Sequence, residues 1–446
     1  MKEKTITEFL SQEYKEFAFY TIENRAIPSL IDGFKISQRK IINACIDIWK
    51  TGNEKHLKVF QLSGVVAHTQ FYHHGNASLD SAIINLAQKF KNNSPLLEED
   101  GQFGSIRSPQ AGAPRYIGTK LSPNFKLIYK DFELLKYREE EGEKIEPEFF
   151  LPIIPTILIN GGSGIAVGFA SNVLNRDIKD VIDSCHKVLL DKNISTIKPH
   201  LNLFNGEYIQ DTENPKKWYI RGKFDRVNTT TIRISELPPS MTYEKYEEIL
   251  DKLVESKSIS SYEDNCKDNI DYIIKMSRSD LSVLDDTALI KLLKLEESET
   301  EIYSTLDEFG KLKIFESIQD IVKYFVNFRL TYYQKRKDFI LDKISRELRI
   351  LGFRGKFIKM ILDGKFHINN KMKSEIIDKF EELKFDKIDG DYEYLLRMPI
   401  HSLTKETFEK IKEDYTSKKS ELEDVKIMDP RDMYISDLLE LKKKYK

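Results

Sequence analysis

An α+β multidomain fold is predicted for this 446-residue chain, and three observations predict it. The chain is longer than one hydrophobic core normally serves, so two to four domains are expected. Its patterning changes character twice, near residues 130 and 313. Finally, two long heptad-like stretches lie about 50 residues apart near the end, a spacing that suits an antiparallel coiled coil carrying a small distal domain.

Residues 1 to about 130 read as mostly helical. Ile41, Ile42, Cys45 and Ile48 recur at helical spacing, and Leu79, Ile83, Leu86 and Phe90 form a second apolar stripe. Short turns at Asp32-Gly33 and Gly75 separate them. Such a segment suits a helix-turn-helix or winged-helix module, and equally a generic helical domain. From about 131 to 313 the chain turns β-branched and Gly-rich, as in Leu151 to Ala170. Strands are predicted over Thr229–Pro238 and Asn269–Ser277. From 314 onward, Ile321, Phe325, Phe328 and Tyr332 begin a seam that Leu341, Ile344, Leu348 and Leu351 continue. Phe408, Ile411, Tyr415, Leu422 and Val425 form the returning seam, with Lys418 in an expected apolar slot.

Composition excludes several classes. There are 70 Lys and Arg against 72 Asp and Glu, which argues against a protein that coats nucleic acid by bulk charge. It leaves room for segregated basic patches such as Lys35, Arg39 and Lys40. No apolar run is long enough to span a bilayer. The segment MKEKTITEFL has no secretory apolar core. Cys45, Cys185 and Cys266 have neither disulfide nor metal spacing, which fits a reducing, intracellular setting. No nucleotide-cradling G-x-x-x-x-G-K-[ST] loop, H-E-x-x-H pair or clustered carboxylates appear, so no metal site is expected in this chain.

Three constellations remain. In Asp32 to Lys40 (DGFKISQRK), Lys35, Arg39 and Lys40 can share one side of a helix and contact phosphates, or simply form a solvated face. In Phe71 to Leu79 (FYHHGNASL), His73 and His74 precede a helix where an anion could bind. A capped turn with exposed histidines is the plainer reading. In Gly101 to Ser122, a Gly-, Ser- and Pro-rich loop ends in Arg115-Tyr116. A phenol on an adaptable segment beside a guanidinium is what phosphoryl transfer to tyrosine needs, since the Arg offsets the charge that builds on phosphorus. One packed tyrosine among 21 is the alternative.

Longer motifs decide between these readings. IPSLIDGFKISQRKII, FYHHGNASLDSAIINLAQKF, GQFGSIRSPQAGAPRYIGTKLSP and LPIIPTILINGGSGIAVGF occur in an order that resembles the breakage-reunion region of type II DNA topoisomerases, shared by eukaryotic topoisomerase II and gyrase A. RLTYYQKRKDFI and EYLLRMPIHSLTKETFEK resemble the two strands of the eukaryotic coiled coil. The likeness runs from about Arg25 to Lys410, and adjacent His73-His74 leans toward the eukaryotic and T-even-phage branch. The resemblance implies a winged-helix DNA-cleavage domain over 1–130, an α/β tower over 131–313, and a coiled coil with a helical C-gate over 314–446, its tip at about 352–402.

The same resemblance implies roles. Tyr116 stands where the nucleophile that forms a 5′-phosphotyrosine stands, with Arg115, Arg39 and His74 completing the catalytic set. Arg25, Lys35, Lys40, His73, Arg107, Ser163 and Ile165 match DNA-binding positions, Ile165 as the apolar wedge between base pairs. The family reaction needs an ATPase and a Mg²⁺-holding TOPRIM module, and neither is recognisable here. The expected arrangement is therefore a homodimer that cleaves double-stranded DNA, with Mg²⁺ and ATP held by partner subunits. The expected location is the cytoplasm, that of the host if the chain is phage-encoded. The alternative is an architectural protein of the same fold that bends DNA without cutting it. Two departures are visible: Asn76 replaces the usual acid, and Ala77 with Ser81 replaces the quinolone-anchoring pair, so weak quinolone sensitivity is expected.

Overall fold

The structure is a computed structural model that describes residues 6–50, 52, 55–267 and 269–445. The chain packs as two compact units, one of residues 1–329 with 437–446 and one of residues 330–436. None of the described helices is long and apolar enough to cross a membrane.

In the first unit, helices Ile36–Trp49, Val59–Thr69 and Asn76–Ala87 contact one another. The predicted stripes are their buried faces: Ile41, Ile42 and Cys45 on one, and Leu79, Ile83 and Leu86 on another. An antiparallel pair, Leu57–Lys58 with Gly118–Thr119, closes the cluster and brings the loop before residue 118 against the start of the second helix.

The middle of the chain is built on a four-stranded antiparallel sheet in the spatial order Lys223–Asn228, Thr231–Glu236, Tyr272–Lys275, Ser261–Asp264. Along Thr231–Glu236 burial alternates, with Ile232 and Ile234 inside, as a sheet solvated on one face requires. Helix Tyr243–Glu255 supplies Tyr246 and Leu250 to the same core. The two predicted strands exist and are shorter than expected. The apolar, β-branched and Gly-rich segment Leu151 to Ala170 folds as three pieces. A strand Leu151–Pro152 and a helix Thr156–Asn160 come first, then strand Gly162–Ile165, paired with Ala170–Val173 in a hairpin. Gly161 breaks the run at φ +67°, and a Cβ there would lie 2.5 Å from the Asn175 side-chain oxygen.

Buried ion pairs tie distant segments of this unit together. Arg176 donates to Glu301, which also accepts from Trp218 Nε1 and the Tyr303 hydroxyl. Arg329 pairs with Asp131. Residues 437–446 belong to this unit as well: Leu438 and Leu441 are buried, and the Tyr445 hydroxyl donates to the Asn93 carbonyl at 2.9 Å.

In the second unit, the portion of helix Ile318–Leu362 from residue 330 onward runs antiparallel to helix Lys405–Ile427. The register follows from contacts: Lys337 Nζ donates to the carbonyls of Lys426 and Met428, Lys418 pairs with Glu347 and Glu421, and Gly352 and Gly355 face Tyr415 and Ile411. Lys418, the polar residue in the apolar seam, is therefore satisfied by a cross-strand acid. A separate small core of Phe357, Phe366, Phe380, Phe385, Tyr392 and Leu395 lies beyond the two helices.

Candidate active site

The loop carrying Tyr116 is fixed by its backbone. Val59 and Phe60, the first residues of helix Val59–Thr69, donate N–H groups to the carbonyls of Ile117 and Pro114 at 3.1 and 3.2 Å. The Tyr116 N–H donates to the Ala113 carbonyl at 2.8 Å, and its own carbonyl accepts from Lys58 Nζ at 2.7 Å. Gly118 sits where a Cβ would meet Asp100 at 2.6 Å, so the chain leaves the loop through a glycine. With the main chain held on both sides, the side chain projects outward. At 67% exposure, Tyr116 is the most exposed tyrosine among the described residues. The Arg115 guanidinium lies 4.8 Å from its ring centroid, a cation placed over the π face. Lys58 is absent from the sequence reading, and only the β pairing that brings 58 beside 118 reveals it.

A second cluster surrounds His74. Arg25 Nη2 contacts His74 Nδ1 at 3.2 Å, the Tyr20 hydroxyl contacts Nε2 at 3.4 Å, and the Arg25 guanidinium lies 5.6 Å from the Tyr20 ring centroid. Tyr72 packs edge-on against the imidazole. Partial burial, then the positive charges of Arg25 and His73, hold the His74 imidazole below the ordinary histidine range. His73 points elsewhere, 3.6 Å from Glu140. Tyr20 is a further residue that the sequence reading passes over, since nothing in its spacing announces a partner 54 positions away.

The hairpin Gly162–Val173 rests on the segment carrying Arg25. A Cβ on Gly164 would lie 1.9 Å from the Ala26 carbonyl oxygen, so only glycine permits this approach. Ser163 lies on the same strand, and Ile165 is 89% exposed at its end. An isoleucine so fully exposed on a tight hairpin gains nothing from the core and is free to enter a ligand.

The cations of the first motif are turned inward, unlike the solvated or phosphate-facing row the sequence suggests. Arg39 donates through Nε and Nη2 to Asp32 at 2.7 and 3.1 Å. Asp32 is fully buried, and its side chain also accepts the N–H groups of Phe34 and Phe150. Lys40 is buried between the Gln70 carbonyl and Glu146, the latter at 3.0 Å. Lys35 is half-buried at the start of its helix, and burial lowers its ammonium pKa. Arg107 requires a correction as a DNA contact. Its guanidinium is 5% exposed and engaged by Glu236 and the carbonyls of Leu237, Pro238 and Met241, so it anchors its loop to the sheet. Desolvation explains the inward turn: a buried cation is tolerated only when paired, and Asp32, Glu146 and Glu236 are the buried acids that pair Arg39, Lys40 and Arg107.

No group of three or more His, Cys, Asp or Glu side chains placed to hold a metal occurs among the described residues. The first unit thus brings an exposed Arg-Tyr pair, a His-Arg-Tyr cluster and an apolar hairpin tip onto one body. The chain belongs to the DNA gyrase/topoisomerase IV A-subunit family of type II topoisomerases, which it matches over residues 25–441. It is 32% identical to the DNA topoisomerase medium subunit of Enterobacteria phage T4 over 99% of this chain and 100% of that protein. It is 33% identical to the DNA topoisomerase 2 of Plasmodium falciparum (98% of this chain, 34% of that protein) and to DNA topoisomerase 2-alpha of Gallus gallus (97% and 30%). The chain thus spans about a third of the length of those two relatives. The crystal structure of the Plasmodium falciparum topoisomerase II DNA-binding, cleavage and re-ligation domain superposes with a TM-score of 0.86 at 31% identity, covering 98% of this chain and 64% of that one. Type II topoisomerases are isomerases that use Mg²⁺ and ATP.

Proposed function

We propose that this chain is the DNA-cleaving and rejoining subunit of an ATP-dependent type II topoisomerase, working as a homodimer on double-stranded DNA in the cytoplasm (the host's, if the source is a phage). The observation that carries the reading is Tyr116: its backbone is pinned by Ala113 and Lys58, its side chain is open to solvent, and a guanidinium lies over its ring. In the proposed step the phenol oxygen attacks a backbone phosphorus. A phosphotyrosine bond to the 5′ end forms as the bond to the 3′ oxygen breaks, and that oxygen leaves with a proton as a 3′-hydroxyl. The phosphoester count is unchanged, so the reverse step reseals the strand without another energy source. Arg115 offsets charge on the phosphorane, and His74 contacts the phosphate through the ring edge that faces Tyr20. Ile165 wedges between base pairs and Ser163 lies beside the backbone. Arg39 acts indirectly, by holding the Asp32 turn. In functional terms the three segments 1–130, 131–313 and 314–446 would serve cleavage, DNA support and dimer gating.

Among the described residues no carboxylate cluster is placed to hold Mg²⁺. Partner subunits carrying the TOPRIM and ATPase modules would hold Mg²⁺ and ATP. The test is cleavage of supercoiled plasmid by this chain with Mg²⁺ and the partner subunits, trapped by detergent. Protein-linked 5′ ends should form with wild type and vanish with Tyr116→Phe. Adducts that persist in the variant would assign the chemistry to another tyrosine. Bent but uncut DNA from wild type would favour an architectural protein of this fold.

A further inference from the structure

The geometry around His74 points to a fixed chemical form of this residue and to a role for Tyr20. A guanidinium carries donors and no acceptor. Arg25 Nη2 faces His74 Nδ1 at 3.2 Å, so Nδ1 must present its lone pair. A neutral imidazole has one donor and one acceptor nitrogen. The proton therefore sits on Nε2, which faces the Tyr20 hydroxyl at 3.4 Å. We propose that Arg25 and Tyr20 hold His74 as the neutral Nε2–H tautomer, so that His74 meets the DNA phosphate as a hydrogen-bond donor. Tyr20 is then a positioning residue whose hydroxyl accepts that Nε2–H and stays beside it when a phosphate oxygen shares the same proton, so that the ring keeps its aim. This inference rests on the reading of His74 as a phosphate contact.

The groups around the ring support one another. Arg25 is itself placed by the Tyr20 ring, whose centroid is 5.6 Å from the guanidinium carbon, so Tyr20 contributes through its face as well as its hydroxyl. Tyr72 closes a third side edge-on, ring centroids 5.5 Å apart. Ser78, on the helix that follows, donates to the His74 carbonyl at 3.0 Å and fixes the backbone of the turn. Protonating Nδ1 would set two donors against each other at the Arg25 contact. The charges acting on His74 are Arg25 and His73, both of which disfavour the imidazolium. The neighbouring acid Glu140 pairs with His73. Burial and these charges thus lower the proton affinity of His74, as the neutral tautomer requires.

The test begins with the full chain labelled with ¹⁵N-histidine, whose eight histidines give a tractable two-bond ¹H–¹⁵N spectrum. The His74 signal is identified by its loss in His74→Gln. The expected pattern is a lone-pair Nδ1 with a protonated Nε2, and a titration midpoint below about 6.5, the ordinary histidine value. In Arg25→Gln the midpoint should rise and the two tautomers should mix. In Tyr20→Phe, which keeps the ring under Arg25, the tautomer should persist. Adduct formation in the presence of partner subunits should then fall about three- to tenfold, the loss of one hydrogen bond. An Nδ1–H tautomer, a midpoint at or above the ordinary value, or a Tyr20→Phe variant that cleaves as fast as wild type would overturn the proposal. The spectra are read on the chain without DNA. A wild type that forms no adduct therefore overturns the phosphate role of Tyr20 and the cleavage reading, while the spectra still decide the tautomer.

Discussion

At the scale of the residue, the same amino-acid type serves opposite purposes here, and burial decides which. Arg115 and Arg25 lie over tyrosine rings at the surface, whereas Arg39 is enclosed with Asp32. Removing one member of a buried pair leaves an uncompensated charge, at a cost of roughly 3–5 kcal/mol. Arg39→Gln is therefore expected to lower stability by about that amount, seen as a fall in the urea midpoint with an unchanged slope. A variant that lost activity while unfolding at the wild-type midpoint would return Arg39 to direct phosphate contact. The sequence places Lys35, Arg39 and Lys40 together at one helix start, as the structure does. It does not show that acids buried elsewhere claim two of them, because Asp32 looks like a turn residue and Glu146 like part of a solvated acidic run. Arg115 and Tyr116 are legible as a pair because they are adjacent in the chain, but only the resemblance picks this tyrosine from 21.

At the scale of the element, the hairpin Gly162–Ile165 with Ala170–Val173 separates packing from function within two adjacent positions. Ile165 touches little, so Ile165→Ala should change stability by less than about 0.5 kcal/mol. It should nevertheless reduce the bend of a fluorescently end-labelled duplex measured by energy transfer. Gly164→Ala should lower both. Its new Cβ, 1.9 Å from the Ala26 carbonyl, forces the hairpin off the segment that carries Arg25, and both melting temperature and DNA bending should drop. A stable Gly164→Ala protein with wild-type bending would show that the hairpin does not depend on this contact. The helices are the most readable elements, since Leu79, Ile83 and Leu86 repeat at one period. The 151–170 run is not, because an apolar β-branched stretch reads alike as a buried strand or a buried short helix. The positive-φ Gly161 divides the helix from the hairpin.

At the scale of the whole molecule, the two compact units have separate hydrophobic cores, one around the four-stranded sheet and one around Phe380. Phe380 is fully buried among Phe357, Phe366, Phe385 and Tyr392. Phe380→Ala should cost about 3–5 kcal/mol. Calorimetry should show one transition moved downward and the other unmoved. A single transition shifted as a whole would mean that the units unfold together. The coiled coil itself is visible in the heptads. Its register is not, because it depends on pairs such as Lys418 with Glu347 and on which residues of the returning helix, such as Ile411 and Tyr415, pack against Gly355 and Gly352.

The placement of residues 437–446 in the first unit has a consequence for biosynthesis. The Tyr445–Asn93 contact spans 352 positions, and everything from residue 330 to 436 is made between the body of that unit and its closing segment. At roughly 5–20 residues per second, translation of that stretch takes on the order of 5–20 s. During that interval the nascent first unit must wait with the seat for Leu438 and Leu441 uncovered, while the distal unit, whose contacts are nearer in sequence, can already fold.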